Sequence, residues 1–172
     1  MSNNLEEGCH VIAATVIALQ PMYQSPQTTV YQRGKLETMI GAAIWYLPQK
    51  SSELWTGCIS IKALQGLIDG TIKNPTHDHE WPRKVAAREL FELSWEDISD
   101  PTSEVQERYL SRYGRFNLVL PSENRSLAAH QRADIFIDPR KAYQAAGVEL
   151  IHTDQLLRTV LKNPSVLADR VP

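Results

Sequence analysis

Thr76-His77-Asp78-His79-Glu80-Trp81-Pro82 sets an acid beside a histidine just ahead of a proline. The segment is entered through Asn74-Pro75 and reads as a short extended run. Pro82 suits the first position of a helix, where a backbone N–H would go unpaired. Adjacent residues of a strand face opposite sides, so Asp78 and His79 can serve one reacting group only where the strand ends or bends. A proline close behind makes such an ending reasonable.

A second stretch, Arg115-Phe116-Asn117-Leu118-Val119-Leu120-Pro121-Ser122-Glu123-Asn124-Arg125, reads as a strand over 116–120. It is followed by a helix capped by Ser122 and running to about Arg132, with Asn124 in its first turn. Between the two stretches the periodicity predicts helices. One runs from Pro82 to about Leu93, burying Val85, Ala86, Leu90 and Leu93. After an acidic loop, Asp100-Pro101 reads as a cap and first helical position. That helix is expected to bury Val105, Tyr109 and Tyr113 and to close at Gly114. Arg108, Arg112 and Arg115 then fall near one another at its end.

Further out, the sequence predicts helical packing. Leu5–Gln20 is Ala-rich and apolar and reads as a buried helix stopped by Pro21, with a strand as the alternative. Tyr23–Arg33 reads as a loop. Lys35–Tyr46 is an amphipathic helix with Leu36, Met39, Ile40, Ala43, Ile44 and Leu47 on its inner face. Ser60–Asp69 repeats the pattern with Ile61, Leu64, Leu67 and Ile68, and Gly70 stands at the cap. Beyond residue 132, strands at 135–137 and 148–151 alternate with helices at 139–146 and 153–162.

Bulk properties narrow the functional classes. A chain of 172 residues that is 42% hydrophobic fits one domain with a real core. A net charge of -2 does not advertise nucleic-acid binding, so any phosphate contact must come from a local patch. Cys9 and Cys58 form no CxxC pair, which excludes a zinc ribbon or a disulfide framework and leaves a reduced, cytoplasmic setting as the expectation. The longest apolar run, Val11–Leu19, is shorter than the roughly 20 residues that span a bilayer, and no membrane association is expected.

An acid–histidine pair with a distant amide suggests phosphodiester hydrolysis. That chemistry needs a base for water, a cation against the phosphate, and stabilisation of the leaving oxygen. A neutral histidine suits the first task. A hard cation such as Mg²⁺ suits the others and needs only one or two protein oxygens.

Here the residues match a family. Asp78-His79-Glu80-Trp81-Pro82 resembles the first-strand DHxxP of HNH, or ββα-metal, endonucleases. Asn117–Leu120 followed by Ser122-Glu123-Asn124-Arg125 resembles the second strand and helix start. The resemblance covers Thr76 to about Arg132 and implies roles. His79 is the general base; Asp78 and Asn124 hold one Mg²⁺ or Mn²⁺ per site. Asn117 braces the loop, and Arg125 contacts the phosphate. His77 and His130 are weaker candidates for metal or phosphate, and Arg83, Lys84, Arg112 and Arg115 for DNA. The family's zinc-binding cysteine pairs are absent, and the stretch between His79 and Asn124 is longer than in compact members.

The expectation is therefore an α+β, mostly helical single domain around a ββα-metal (HNH) core. Residues 1–73 form a helical scaffold, 74–132 the core with a helical insertion over 83–114, and 133–172 an αβ extension. The expected activity is a DNA endonuclease of restriction, homing or phage type acting on double-stranded DNA. It would be a homodimer if both strands are cut. Two other readings stay open: a metal hydrolase built on His77, Asp78, His79 and His130, and a non-catalytic nucleic-acid-binding domain with a vestigial motif.

Overall fold

The computed structural model describes residues 3–48, 51–133 and 139–154. The protein is α+β: helices dominate, and one four-stranded sheet is present among the described residues. The chain divides into two compact units. One comprises Met1–Leu54 and His79–Arg115; the other comprises Trp55–Asp78 and Phe116–Pro172.

The first unit is helical. Helix α1 spans Asn3–Gln24 and α2 spans Val30–Trp45. A single turn, α3, covers Ser51–Leu54. Helices α5, Arg83–Glu92, and α6, Pro101–Arg108, follow, and a π-helical turn at Tyr109–Tyr113 extends α6. Helix α1 passes straight through Pro21, where the sequence predicts a stop. Its last carbonyls are not left bare: Thr28 donates its hydroxyl to Met22, and Arg33 donates to Tyr23 at 2.9 Å. The Tyr23 ring also stacks on Phe91 at 4.3 Å, fixing the final turn by burial. Helix α2 starts five residues earlier than its apolar period suggests, because Thr29 and Gln32 form a reciprocal capping box. Ile40 and Ile44 are buried as expected, but Met39 is about half exposed and Glu37 is buried instead.

Pro82 precedes α5 as its cap, one position earlier than expected, and accepts from Val85 and Ala86 through its carbonyl. Asp100 caps α6 by accepting from the N–H groups of Thr102 and Ser103. Val105, Tyr109 and Tyr113 are its buried face, as the periodicity predicts. Gly114 ends the segment for reasons of space. A Cβ there would lie 2.8 Å from the Tyr109 ring.

The second unit holds the sheet. Its elements are β1 (Trp55–Ser60), α4 (Ile61–Ile68), β2 (Thr76–His79, whose final residue opens the second stretch of the helical unit), β3 (Phe116–Val119), α7 (Pro121–Ala133), α8 (Pro139–Ala145) and β4 (Leu150–His152). The sheet order is β2-β3-β1-β4. Strand β1 is parallel to β3 and antiparallel to β4. The sequence reading places no strand over residues 55–60, so β1 is unexpected. Its pairing with β3 shifts register between Trp55 and Ile59. Gly57 lies there at φ 83, and a Cβ on it would sit 2.6 Å from His152 Nε2, so only glycine fits.

Helix α4 is capped by Ser60 and ends before Gly70 as predicted, but its face is turned. Ala63 and Gly66 are buried, while Leu67 and Ile68 are exposed. Small residues let this short helix lie close to its neighbours, so the larger apolar side chains point outward. Helix α7 begins at Pro121 rather than after a Ser122 cap: the Glu123 carboxylate, buried, accepts from the Leu120 N–H at 2.9 Å. Val119, Leu127, Tyr143 and Val148 form a buried cluster under α7 and α8. The predicted strand at 135–137, and the predicted last helix beyond residue 154, lie outside the described residues. Among the described residues, no helix is long and apolar enough to cross a membrane.

Candidate functional site

In the sheet unit, Asp78 stands near the end of β2 with its side chain buried. The Tyr143 hydroxyl, from α8, donates to Asp78 Oδ2. The Tyr143 hydroxyl oxygen in turn accepts from Asn117 Nδ2 at 2.9 Å. Asn117 is fully buried on β3, and its Oδ1 accepts from the Thr56 hydroxyl on β1. One chain of polar contacts thus runs Thr56, Asn117, Tyr143, Asp78 across three strands and a helix. Asn117, expected as a brace, is the middle of this chain.

Asn124 is in the first turn of α7, half-buried, and its N–H donates to the Leu120 carbonyl at 2.9 Å. Arg125 and His130 are exposed on the same helix. Glu123 beside Asn124 accepts from the buried Ser60 hydroxyl, which ties α7 to the end of β1. His77 stacks on Phe116, ring centroids 3.9 Å apart, and burial pulls its imidazole below the ordinary range.

In the helical unit, His79 is buried with its ring against Trp45, centroids 4.1 Å apart. Its Nδ1 lies 3.3 Å from the Tyr113 carbonyl. A carbonyl only accepts, so Nδ1 carries the proton and the lone pair of the neutral ring falls on Nε2. Trp45 also carries the exposed Arg83, whose guanidinium lies 4.6 Å from the ring centre. Lys84 is exposed beside it in sequence. The Glu80 N–H donates to the Arg115 carbonyl at 3.1 Å. Glu80 directly follows β2 and Arg115 directly precedes β3.

The arginines at the end of α6 have partners. Arg108 meets Glu104 at 2.6 Å and Arg112 meets Glu89 at 2.7 Å. Arg112 also lies 3.6 Å from the centre of the Trp81 ring, and Arg115 stands 4.0 Å from Glu80. These contacts orient the guanidinium groups and balance their charge.

Among the described residues, no group of three or more His, Cys, Asp or Glu side chains is arranged to hold a metal. Sequence reasoning misses Tyr143, Thr56, Trp45 and Glu123. Glu123 lies inside the second stretch but is given no role there; the other three lie outside both stretches and join them only through the fold. No protein-family model, no curated protein and no solved structure matches this chain, so the functional reading stands on these residues alone.

Proposed function

We propose that this chain is a metal-dependent endonuclease of the HNH, ββα-metal kind that hydrolyses phosphodiester bonds in DNA. One observation carries the reading. The motif residues fall on a strand, the strand next to it in the sheet, and the helix that follows, in that order. Asp78 is near the end of the first, Asn117 within the second, and Asn124 in the first turn of the helix. Helices α5 and α6 are then the insertion between the two strands.

The donor chemistry fits a hard divalent cation. Asp78 and Asn124 offer carboxylate and amide oxygen, and Mg²⁺ needs only one or two such protein ligands. The Tyr143 phenol donates to the Asp78 carboxylate. When bound, the cation supplies charge neutralisation at the scissile phosphate. The protein's own part is to hold the base and the phosphate. On this reading His79, whose Nδ1 proton is held by the Tyr113 carbonyl, is the base for the attacking water. Arg83 and Lys84, exposed at the start of α5, and Arg125, exposed on α7, attract the DNA backbone. Cleavage of both strands would take two copies of the chain.

The test is a supercoiled-plasmid assay with Mg²⁺ or Mn²⁺. Wild-type protein should nick or linearise the plasmid, and His79→Ala should not. An intact plasmid with the wild type, or equal cutting by the variant, rules the proposal out.

A further inference from the structure

We infer that Tyr143 is a positioning residue: its hydroxyl, held by Asn117, sets the plane of the Asp78 carboxylate for a divalent cation. The inference rests on the reading of Asp78 as a metal ligand.

Three observations lead to it. Tyr143 belongs to the buried apolar cluster with Val119, Leu127 and Val148, which a phenylalanine would fill as well. Burying a hydroxyl there costs free energy unless it is bonded, so the oxygen needs a reason. Its contacts have a direction. Asn117 Nδ2 can only donate, so it occupies a lone pair of the phenol oxygen and leaves the phenolic proton to Asp78 Oδ2. Finally, Asn117 is itself fixed from the other side by the Thr56 hydroxyl, so the phenol cannot swing without breaking a bond inside the sheet. Hydrogen-bonded donors in series strengthen one another in a low-dielectric interior. A ligand carboxylate held this way meets a cation without first losing rotational freedom.

The experiment is a Mn²⁺ titration followed by electron paramagnetic resonance, on the full chain without DNA, well below the melting temperature. It uses wild type, Asp78→Ala, Tyr143→Phe and Tyr23→Phe. The last removes a comparable buried phenol–carboxylate bond in the helical unit and should leave Mn²⁺ affinity unchanged. Asp78→Ala should abolish the site. Tyr143→Phe should weaken it by about 10- to 100-fold, the usual cost of losing a partner that orients a metal ligand. If Tyr143→Phe binds Mn²⁺ like the wild type while Asp78→Ala does not, the positioning role is wrong and the metal site survives. If Asp78→Ala binds like the wild type, the metal-ligand reading falls and takes this inference with it. Should Tyr143→Phe fail to fold by circular dichroism, Thr56→Val tests the same chain from its far end. A smaller loss in the same direction supports the role, and an unchanged affinity overturns it.

Discussion

Each unit buries a carboxylate and gives it a tyrosine hydroxyl, and the two then differ. In the helical unit Glu37 accepts from Tyr23 at 2.9 Å and from Arg88 at 3.0 Å and 3.4 Å. In the sheet unit Asp78 accepts from Tyr143, whose own partner is the neutral amide of Asn117. A guanidinium matches the charge of Glu37 where it stands and joins α2 to α5. At Asp78 a phenol donates, which gives the carboxylate a direction within the sheet unit. Burial of an acid is thus used in two ways, one to tie helices and the other, on our proposal, to present a charge to a cation. Burial, and then Glu37, pushes the Tyr23 phenol up to about 12, so it stays a donor across the working pH range.

The largest effects should break this contrast or sharpen it at the proposed site. His79→Ala should lower plasmid cleavage by about 10²- to 10⁴-fold, the usual contribution of a general base. Asp78→Asn should also lose cleavage, because an amide cannot replace the charge. Glu37→Gln should cleave like the wild type at a temperature where it is folded. If Glu37→Gln and Asp78→Asn lose activity together, the two acids are not doing different jobs.

Stability should divide the other way. Arg88→Ala strands a buried carboxylate, although the arginine itself is partly exposed, so the cost should be about 2 kcal/mol in urea unfolding. Tyr23→Phe removes one hydrogen bond and keeps the ring stack on Phe91, at a cost of about 1 kcal/mol. The melting temperature should therefore fall more for Arg88→Ala than for Tyr23→Phe. The reverse order would mean that the aromatic stack, rather than the ion pair, joins this part of the helical unit.

How far the sequence announces these features depends on how local their causes are. The Asp100 cap, the Val105–Tyr109–Tyr113 face and the extended run at Thr76–His79 follow from neighbours within one or two turns, and they are legible. Strand β1 is not, because Trp-Thr-Gly-Cys-Ile-Ser has weak alternation and a glycine, and its pairing with β3 lies more than fifty residues away in sequence. The passage of α1 through Pro21 depends on Thr28 and Arg33 reaching back to carbonyls that no window around the proline contains. Among the proposed site residues, the resemblance names Asp78, His79, Asn117 and Asn124. Tyr143 carries no such mark: in the Ala-rich helix around it, a tyrosine reads as packing. Only the fold brings its hydroxyl to Asp78.

The smallest effect concerns pH and the residue beside Asp78. His77 stacks on Phe116, and burial lowers its pKa in the folded chain. The unfolded chain takes up this proton near pH 6.5, a typical imidazole value, and the folded chain only at lower pH. Protons therefore bind preferentially to the unfolded state. Stability should fall as pH drops below about 6.5, and the loss should be complete once pH is under the folded value. His77→Phe keeps an aromatic ring against Phe116 and removes the titration, so its unfolding midpoint should be flatter between pH 7 and pH 5 than that of the wild type. An identical slope in both proteins would assign the acid sensitivity to groups other than His77. It would also show that the ring stack on β3 is as stable charged as neutral, and that the environment of β2 next to Asp78 is more polar than its burial suggests.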